Sequence, residues 1–309
     1  MTSNISTAIA RSELDALIMH VRAVFDSWTE KTTIGEMRAD WESLFHGTKS
    51  EVDATSQKIQ AAGFKGEWIV APEADQDRAI VYLHGGGYVI GSVESYRDMC
   101  ERPSRAAKAC VLAVDYRLAP EHPFPAAVDD AVSAYRWVLA RGIKPNRIAI
   151  AGDSAGGALT LALMFVIKQE GGALPACAVP MSPWVDLEHT GETFRTMDAV
   201  EPMCHKATLE GCAKLYLPSG DVRNPLAAPI YGDFKGLPPL FVPVGGHETL
   251  LDDARRVTAL AQAAGVPVEL KIYDRQIHVF QIFASRMREA QQGVEDIGRF
   301  ILSHTGGAG

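Results

Sequence analysis

The sequence predicts an α/β fold, with a mostly parallel central sheet flanked by helices. Short apolar segments typical of buried strands alternate with longer helical patterns through most of the chain. This alternation favours a parallel sheet, because each helix returns the chain to the edge where the next strand begins. With 309 residues and 47% hydrophobic residues, the chain can bury one large core and carry a small accessory subdomain.

Composition and charge argue against several classes of partner. The net charge of −8 leaves no extended basic surface, so nucleic acid and anionic membranes are poor candidates. No apolar stretch reaches the roughly 20 residues of a membrane-spanning helix, and no basic start followed by an apolar region marks a secretory signal. The five cysteines are odd in number and lack C-x-x-C spacing, which favours reduced thiols and a cytoplasmic location.

Two helices are predicted before the first strand. Apolar residues recur at spacings of three and four from Leu14 to Trp28, and again from Ile34 to Phe45. These helices can pack on the core or lie across the mouth of an active site.

The core elements then follow in order. Strands are predicted at Gly66–Val70, Arg78–Leu83, Cys110–Tyr116, 148–151, Cys177–Met181, Leu240–Val244 and Val268–Tyr273, with a polar turn at 73–77 between the first two. Helices are predicted at 95–109, 126–141, 158–166 and 252–264, with a last helix ending at Ile301. The less regular segment Trp184–Pro218 separates two core strands, which is where a cap insertion is expected.

The segment Arg147–Gly157 (RIAIAGDSAGG) contains the candidate nucleophile. A buried strand, a G-x-S-x-G sequence and an apolar helix follow one another directly. This context is typical of a nucleophile elbow, in which a sharp turn exposes a strained serine, here Ser154. The glycines leave space where a Cβ would collide with the neighbouring strand or helix. An ordinary glycine-rich turn is the alternative interpretation.

The segment His84–Tyr88 (HGGGY) ends another predicted strand. It does not fit a phosphate-binding G-x-G-x-x-G, because the sixth position is Ile90, and a Walker lysine is missing. Consecutive glycines can instead direct backbone N–H groups at an oxyanion, with a further N–H from the residue after the nucleophile. The predicted oxyanion hole is therefore formed by the N–H groups of Gly86, Gly87 and Ala155. One such donor typically stabilises the transition state by about 3–4 kcal/mol.

A general base and an acid are expected after the serine, in the order serine, acid, histidine. His278 lies in a polar loop beyond the last predicted strand and is the preferred base, with His247 as a weaker candidate. Glu248 follows the strand that ends at Val244 and is the preferred acid. Asp252 and Asp253 are its rivals, although capping and the helix dipole alone explain a carboxylate in the first turn of a helix.

A metal site is a further interpretation of the same stretch. His247 and Glu248 begin an H-E-x-x-H pattern, but its fifth position is Leu251. We therefore predict neither a metal ion nor another cofactor.

Three motifs in this order resemble the bacterial hormone-sensitive-lipase family of carboxylesterases: HGGGY at 84–88, DYRLAPEHPFPAAVDDA at 115–131 and GDSAGG at 152–157. The resemblance spans about residues 79–283. It implies an α/β-hydrolase fold with a helical cap, metal-free hydrolysis of short or medium acyl esters, and often a dimer. It also implies that Tyr116, Arg117 and Glu121 hold the oxyanion loop. The family usually carries aspartate where this chain has Glu248.

The predicted organisation has three parts. Residues 1–48 form N-terminal helices that contribute to the cap, residues 49–184 and 219–309 form the catalytic core, and residues 185–218 form the cap insertion. His84 and Gly85 are expected to support the oxyanion loop, and a possible substrate pocket involves Tyr88, Asp153, Trp184 and Met203. A homodimer through the exposed edge of the strand at 268–272 is a further hypothesis.

The predicted function is that of a serine carboxylesterase acting on a small-molecule ester through an acyl-enzyme. A lactone, amide or peptide hydrolase would carry the same catalytic residues. A ligand receptor on the same scaffold is an alternative of another class. The presence of His278 argues against it, because receptors that resemble this family lack a working histidine.

Overall fold

A computed structural model describes residues 2–45 and 50–306, with side chains from residue 13 onward within these ranges. Eight strands of the described chain form one sheet in the order β1-β2-β4-β3-β5-β6-β7-β8. The strands are β1 (Thr55–Ala61), β2 (Phe64–Val70), β3 (Asp75–Leu83), β4 (Ala109–Asp115), β5 (Ile148–Asp153), β6 (Cys177–Met181), β7 (Leu240–Gly245) and β8 (Val268–Tyr273). All described neighbours from β4 to β8 in this order pair in parallel, so the predicted α/β class is confirmed.

The helices connect these strands and cover the sheet. They are α1 (Thr2–Phe25), α2 (Ile34–Phe45), α3 (Arg97–Ala107), α4 (Ala126–Ala140), α5 (Ala155–Gln169), α6 (Thr193–Thr196), α7 (Lys206–Tyr216), α8 (Leu251–Ala263) and α9 (Arg288–Thr305). Two predicted bounds are wrong by several residues. Helix α5 begins directly after Ser154 and not at residue 158, and α9 continues past Ile301 to Thr305. Within the described residues, no helix combines the length and apolarity needed to cross a membrane.

The first strand was missed in the sequence, and another begins earlier than predicted. β1 has the polar sequence TSQKIQA and is mostly exposed, so it carries no apolar signal; its antiparallel pairing with β2 defines it. β3 begins at Asp75, inside the predicted polar turn, and its register shifts between Asp75 and Ala79. Both strands depend on partners that a local sequence pattern does not contain.

The parallel strands place their carboxyl ends at one edge of the sheet, where sites in open α/β folds collect. The HGGGY loop follows β3, Ser154 follows β5, and Ser182 follows β6. Glu248 lies three residues after β7, and His278 lies in the loop after β8. Strands β5, β6 and β7 are buried along their whole length, which makes them rigid supports for these loops.

Helices α1, α2 and α7 contribute residues to one cavity that also contains Ser154. The helices placed before the first strand in the sequence thus lie beside the site. The division into cap and core at residues 48, 185 and 218 stays a prediction, and residues 46–48 of its first part lie outside the described ranges.

Candidate active site

Ser154 occupies a strained turn between β5 and α5. Its backbone has φ +54° and ψ −119°, a conformation that non-glycine residues rarely adopt. A Cβ at Gly152 would lie 2.4 Å from the carbonyl oxygen of Gly156, and a Cβ at Gly156 would lie 1.9 Å from that of Leu83. The two glycines therefore let the strand, the helix and the neighbouring strand approach closely enough to form the turn.

His278 and Glu248 form a buried pair. Nδ1 of His278 is 2.8 Å from Oε2 of Glu248, and the two residues are 4% and 0% exposed. The other carboxylate oxygen, Oε1, accepts hydrogen bonds from the hydroxyl of Ser182 at 2.7 Å and from the N–H of Gly245. One oxygen of Glu248 is thus anchored to β6 and β7, which leaves the second to orient the imidazole.

The electrostatic surroundings of His278 favour its charged form. Burial alone would lower the pKa of the imidazole, but Cys204 and Glu248 outweigh it and hold the pKa above its ordinary value of 6.5. Nδ1 is engaged by Glu248, so Nε2 is the nitrogen left for the serine. The Ser154 hydroxyl makes no hydrogen bond to any described residue. Catalytic hydrogen bonds are often formed only when substrate is bound.

The rival acids lie elsewhere. Asp252 accepts hydrogen bonds from the N–H of Thr193 at 3.1 Å and from Arg255 at 3.0 Å. Asp253 accepts the N–H groups of residues 185 and 186. The backbone N–H of His247 donates to the carbonyl of Gln276 at 3.0 Å. Of the carboxylates considered from the sequence, Glu248 is the one that contacts His278.

The oxyanion loop presents free donors to the same cavity. Gly86 and Gly87 have φ +98° and +60°, and both line the cavity with Ser154. Their N–H groups donate to no protein acceptor within the described ranges, whereas the Gly86 carbonyl accepts the N–H groups of Val89 and Ile90 at 3.0 Å. Ala155 is the first residue of α5, where an N–H has no intrahelical acceptor. The arrangement can therefore receive a negatively charged oxygen.

Comparisons with known proteins agree with this geometry. A family model described as the α/β hydrolase fold matches residues 80–282. A solved structure of an esterase from the bacterial hormone-sensitive lipase family superposes with a TM-score of 0.92 at 44% identity, covering 95% of this chain and 98% of that chain. The chain belongs to the bacterial hormone-sensitive-lipase family of α/β-hydrolases.

Two curated relatives of this hormone-sensitive-lipase family member are named for the hydrolysis of esters or acetyl groups. An acetyl-hydrolase of Streptomyces hygroscopicus is 43% identical over 240 residues, covering 78% of this chain and 80% of the relative. An esterase of Acinetobacter venetianus is 37% identical over 247 residues, covering 79% of this chain and 81% of the relative. The chain is a carboxylic ester hydrolase.

Asp153 supports the oxyanion loop of the esterase. Its Oδ1 accepts hydrogen bonds from the hydroxyl of Tyr82 at 2.8 Å and from the N–H of Gly85 at 3.1 Å, and its Oδ2 accepts from Tyr96 at 3.0 Å. Burial raises the pKa of this carboxyl to about 6 against these hydrogen bonds. Asp153 lies at the cavity wall, and its carboxylate oxygens accept hydrogen bonds from Tyr82, Gly85 and Tyr96.

His84 shapes the same loop. Its Nδ1 lies 2.7 Å from the carbonyl oxygen of Gly85, and its ring stacks on Tyr116 with centroids 4.2 Å apart. The hydroxyl of Tyr116 donates to the His84 carbonyl at 2.6 Å. Burial lowers the pKa of His84, so the ring is held in its neutral form.

Arg117 and Glu121, which the family resemblance also implies as supports of the oxyanion loop, have other contacts than Tyr116. Arg117 forms a salt bridge with Asp130 at 2.6 Å, and among the described residues its side chain donates to Asp130 and the Ala126 carbonyl but to none of the glycines of the oxyanion loop. Glu121 pairs with Arg38 at 2.8 Å, and Arg38 donates to the carbonyls of Val89 and residue 119. Glu121 therefore reaches the loop through an arginine of α2.

The cavity beside Ser154 has a volume of about 560 Å³ and mostly apolar walls. The apolar side chains that line it are Phe25, Trp28, Ile34, Met37, Trp41, Val89, Ile90, Met203, Leu209, Leu215, Val279 and Ile282. Met203, one of the predicted pocket residues, is among them. Such volumes and surfaces are typical of small-molecule sites.

Two predicted pocket residues are not among the cavity walls. Tyr88 is 1% exposed and stacks on Tyr216 with ring centroids 3.7 Å apart. Trp184 has no exposed surface, and its indole N–H donates to His189 at 3.2 Å. Both aromatic rings pack against other side chains of the protein, and neither residue lines this cavity.

Sequence reasoning missed two residues close to His278. Glu201 is fully buried and accepts the backbone N–H of His278 at 3.2 Å. Cys204 lines the same cavity as His278 and acts to raise the pKa of its imidazole. The available signal was a single acidic residue within the apolar run Ala199–Cys204, which indicates a buried charge.

Proposed function

We propose that the esterase hydrolyses short- to medium-chain acyl esters through an acyl-enzyme, with Ser154 as nucleophile, His278 as base and Glu248 as the acid of the triad. The observation that carries this proposal is the 2.8 Å contact between His278 Nδ1 and Glu248 Oε2, made by a histidine that lines the same cavity as the strained Ser154.

The reaction has two matched halves. His278 Nε2 takes the proton of Ser154 as its Oγ attacks the ester carbonyl, and Glu248 stabilises the imidazolium that forms. The N–H groups of Gly86, Gly87 and Ala155 bind the oxyanion of the tetrahedral intermediate. The alcohol leaves with the proton from His278. Water then attacks the acyl-enzyme, giving its proton to His278, which returns one to Ser154 as the acid departs.

The preference for short and medium chains is supported by the apolar walls and the volume of about 560 Å³ of the cavity, and by the acetyl-hydrolase among the relatives. Each buried CH₂ contributes about 0.8 kcal/mol, which corresponds to roughly a four-fold change in affinity. We therefore expect kcat/KM to rise with acyl length until the cavity is filled, and then to fall.

The first experiment measures hydrolysis of p-nitrophenyl esters from acetate to palmitate by the wild type and by Ser154→Ala. We expect wild-type turnover to peak at short or medium chains and Ser154→Ala to lower kcat by about 10⁶-fold. Substantial activity in Ser154→Ala would reject the acyl-enzyme mechanism. Absent ester turnover with rapid opening of lactones or cleavage of amides would assign the same triad to another bond.

The acid is tested by a matched pair of substitutions. Glu248→Ala should lower kcat by about 10⁴-fold, the size of effect seen when a triad acid is lost. Asp252→Ala removes a carboxylate four residues later that binds Thr193 and Arg255, so kcat should stay within a few-fold of the wild type. The reverse result would assign the acid to Asp252.

A further inference from the structure

Glu201 is a buried carboxylate that the proposed reaction does not use. It lies between α6 and α7 and has no exposed surface. Its Oε1 accepts the N–H groups of Met203 at 3.1 Å and Cys204 at 3.4 Å, and its Oε2 accepts the N–H of His278 at 3.2 Å. These N–H groups all favour the ionised carboxylate, which is otherwise costly to bury.

The same carboxylate connects the wall of the cavity with the loop of the base. Met203 and Cys204 line the cavity, and the backbone of both is bound by Glu201. A second bond joins this segment to the loop of the acid, because the hydroxyl of Thr249, next to Glu248, donates to the Cys204 carbonyl at 2.6 Å. Residues 201–204 are therefore bonded to both loops that carry the acid and the base.

The charges around His278 make the charge of Glu201 relevant to the reaction. The groups that face this region are Glu248 and Cys204 at the ring, Glu201 at the backbone, and Asp153 beside the nucleophile. Burial and the negative charge of Glu248 raise the pKa of Glu201 to about 7, although the charge of His278 lowers it. Because coupling is reciprocal, ionised Glu201 favours the imidazolium of His278.

We propose that Glu201 is a positioning residue of the reaction, which holds His278 through its backbone and favours the imidazolium through its negative charge. The proposal rests on the role of His278 as the base. A purely structural Glu201 would satisfy three buried N–H groups and affect stability, but it would leave the pH dependence of catalysis unchanged. The pH dependence therefore separates the two roles.

The test compares Glu201→Gln with the wild type and with Glu192→Gln, a control whose side chain is 73% exposed. Glutamine keeps the size of the side chain and removes its charge. We expect kcat for p-nitrophenyl butyrate to fall by about ten- to a hundredfold, as for a lost hydrogen bond to a charged group, with KM nearly unchanged. The acidic limb of kcat/KM should move to lower pH, because His278 loses a neighbouring negative charge. Glu192→Gln should match the wild type.

Wild-type kcat in a folded Glu201→Gln, or a loss of kcat with the acidic limb unmoved, would overturn the proposal. Folding is checked by circular dichroism and thermal unfolding. If Glu201→Gln does not fold, Glu201→Asp replaces it. The shorter side chain keeps the charge but loosens the bonds to the backbone N–H groups, so we expect a smaller loss of kcat with the acidic limb close to that of the wild type, and wild-type kcat would reject the proposal. Ser154→Ala is measured in parallel, since its activity tests the acyl-enzyme mechanism independently of Glu201.

Discussion

As the proposed acid of the triad, Glu248 needs more support than an aspartate would, because its side chain has one more rotatable bond. The structure provides that support through Oε1, which accepts hydrogen bonds from Ser182 and Gly245. Two fixed donors on one oxygen restrict the rotation of the carboxylate, so the other oxygen stays 2.8 Å from His278. The longer side chain thus reaches the imidazole without losing orientation.

The raised pKa of His278 predicts the pH dependence of the esterase. Only neutral imidazole can take the Ser154 proton, so activity is present above the pKa of His278 and is lost as the pH falls through it. Because Cys204 and Glu248 outweigh burial and raise this pKa, the midpoint of the acidic limb of kcat/KM should lie above 6.5. The measurement is kcat/KM from about pH 5 to pH 8, which reports the free enzyme.

Two esters with different non-titrating leaving groups serve as the control for this prediction. Equal midpoints would assign the ionisation to the enzyme and not to a change of rate-limiting step. A midpoint below 6.5 for both esters would mean that burial dominates, and that Cys204 and Glu248 do not control the pKa of the imidazole.

At the scale of the elements, the sequence predicted the helices and strands that have a clear local pattern of apolar residues. It missed the features that arise from contacts with distant segments. The buried parallel strands are continuous apolar runs, and the G-x-S-x-G sequence between strand and helix marks Ser154. β1 has no such pattern and exists because β2 pairs with it. The direction of the Trp184 side chain and the burial of Glu201 follow from packing between distant segments, which single-sequence periodicity does not encode.

The junction of β5 and α5 gives a prediction about packing. Gly156→Ala places a Cβ 1.9 Å from the carbonyl oxygen of Leu83 and 2.4 Å from that of His84, so β3 and the oxyanion loop must move. We expect a loss of stability of about 1–3 kcal/mol, together with lower kcat, because the displaced loop carries the oxyanion donors. Thermal unfolding and ester turnover measure the two effects.

Gly35→Ala is the matched control, because Gly35 lies in α2 and, among the described residues, an added Cβ would meet just the Thr33 hydroxyl at 3.9 Å. Alanine is favoured over glycine in a helix by about 0.5–1 kcal/mol, so the control should be neutral or slightly stabilising. Equal stability of Gly156→Ala and the wild type would contradict the close packing of the junction.

At the scale of the whole molecule, the loops that carry Ser154, Glu248 and His278 lie with the cavity at the carboxyl ends of the strands. The strand that forms the side of the sheet next to β7 is β8. β8 pairs with β7 from Val268 opposite Leu240 to Tyr273 opposite Gly245, and no described strand pairs with its other side. Ile272 on β8 is 42% exposed, which is high for a large apolar residue. Unpaired strand edges can bind a second chain, so this edge is the candidate surface for the homodimer expected from the sequence.

The dimer hypothesis predicts a mass twice that of the chain at high protein concentration, with two copies of β8 pairing antiparallel about a two-fold axis. Ile272→Lys should shift the equilibrium towards the monomer, because each copy then brings a positive charge close to that of its partner. Met19→Lys, which changes an exposed residue of α1, should leave the equilibrium unchanged. Sedimentation equilibrium over a range of concentrations measures all three proteins. A wild type with monomer mass throughout rejects the hypothesis, and equal dissociation of the two variants would place the interface away from β8.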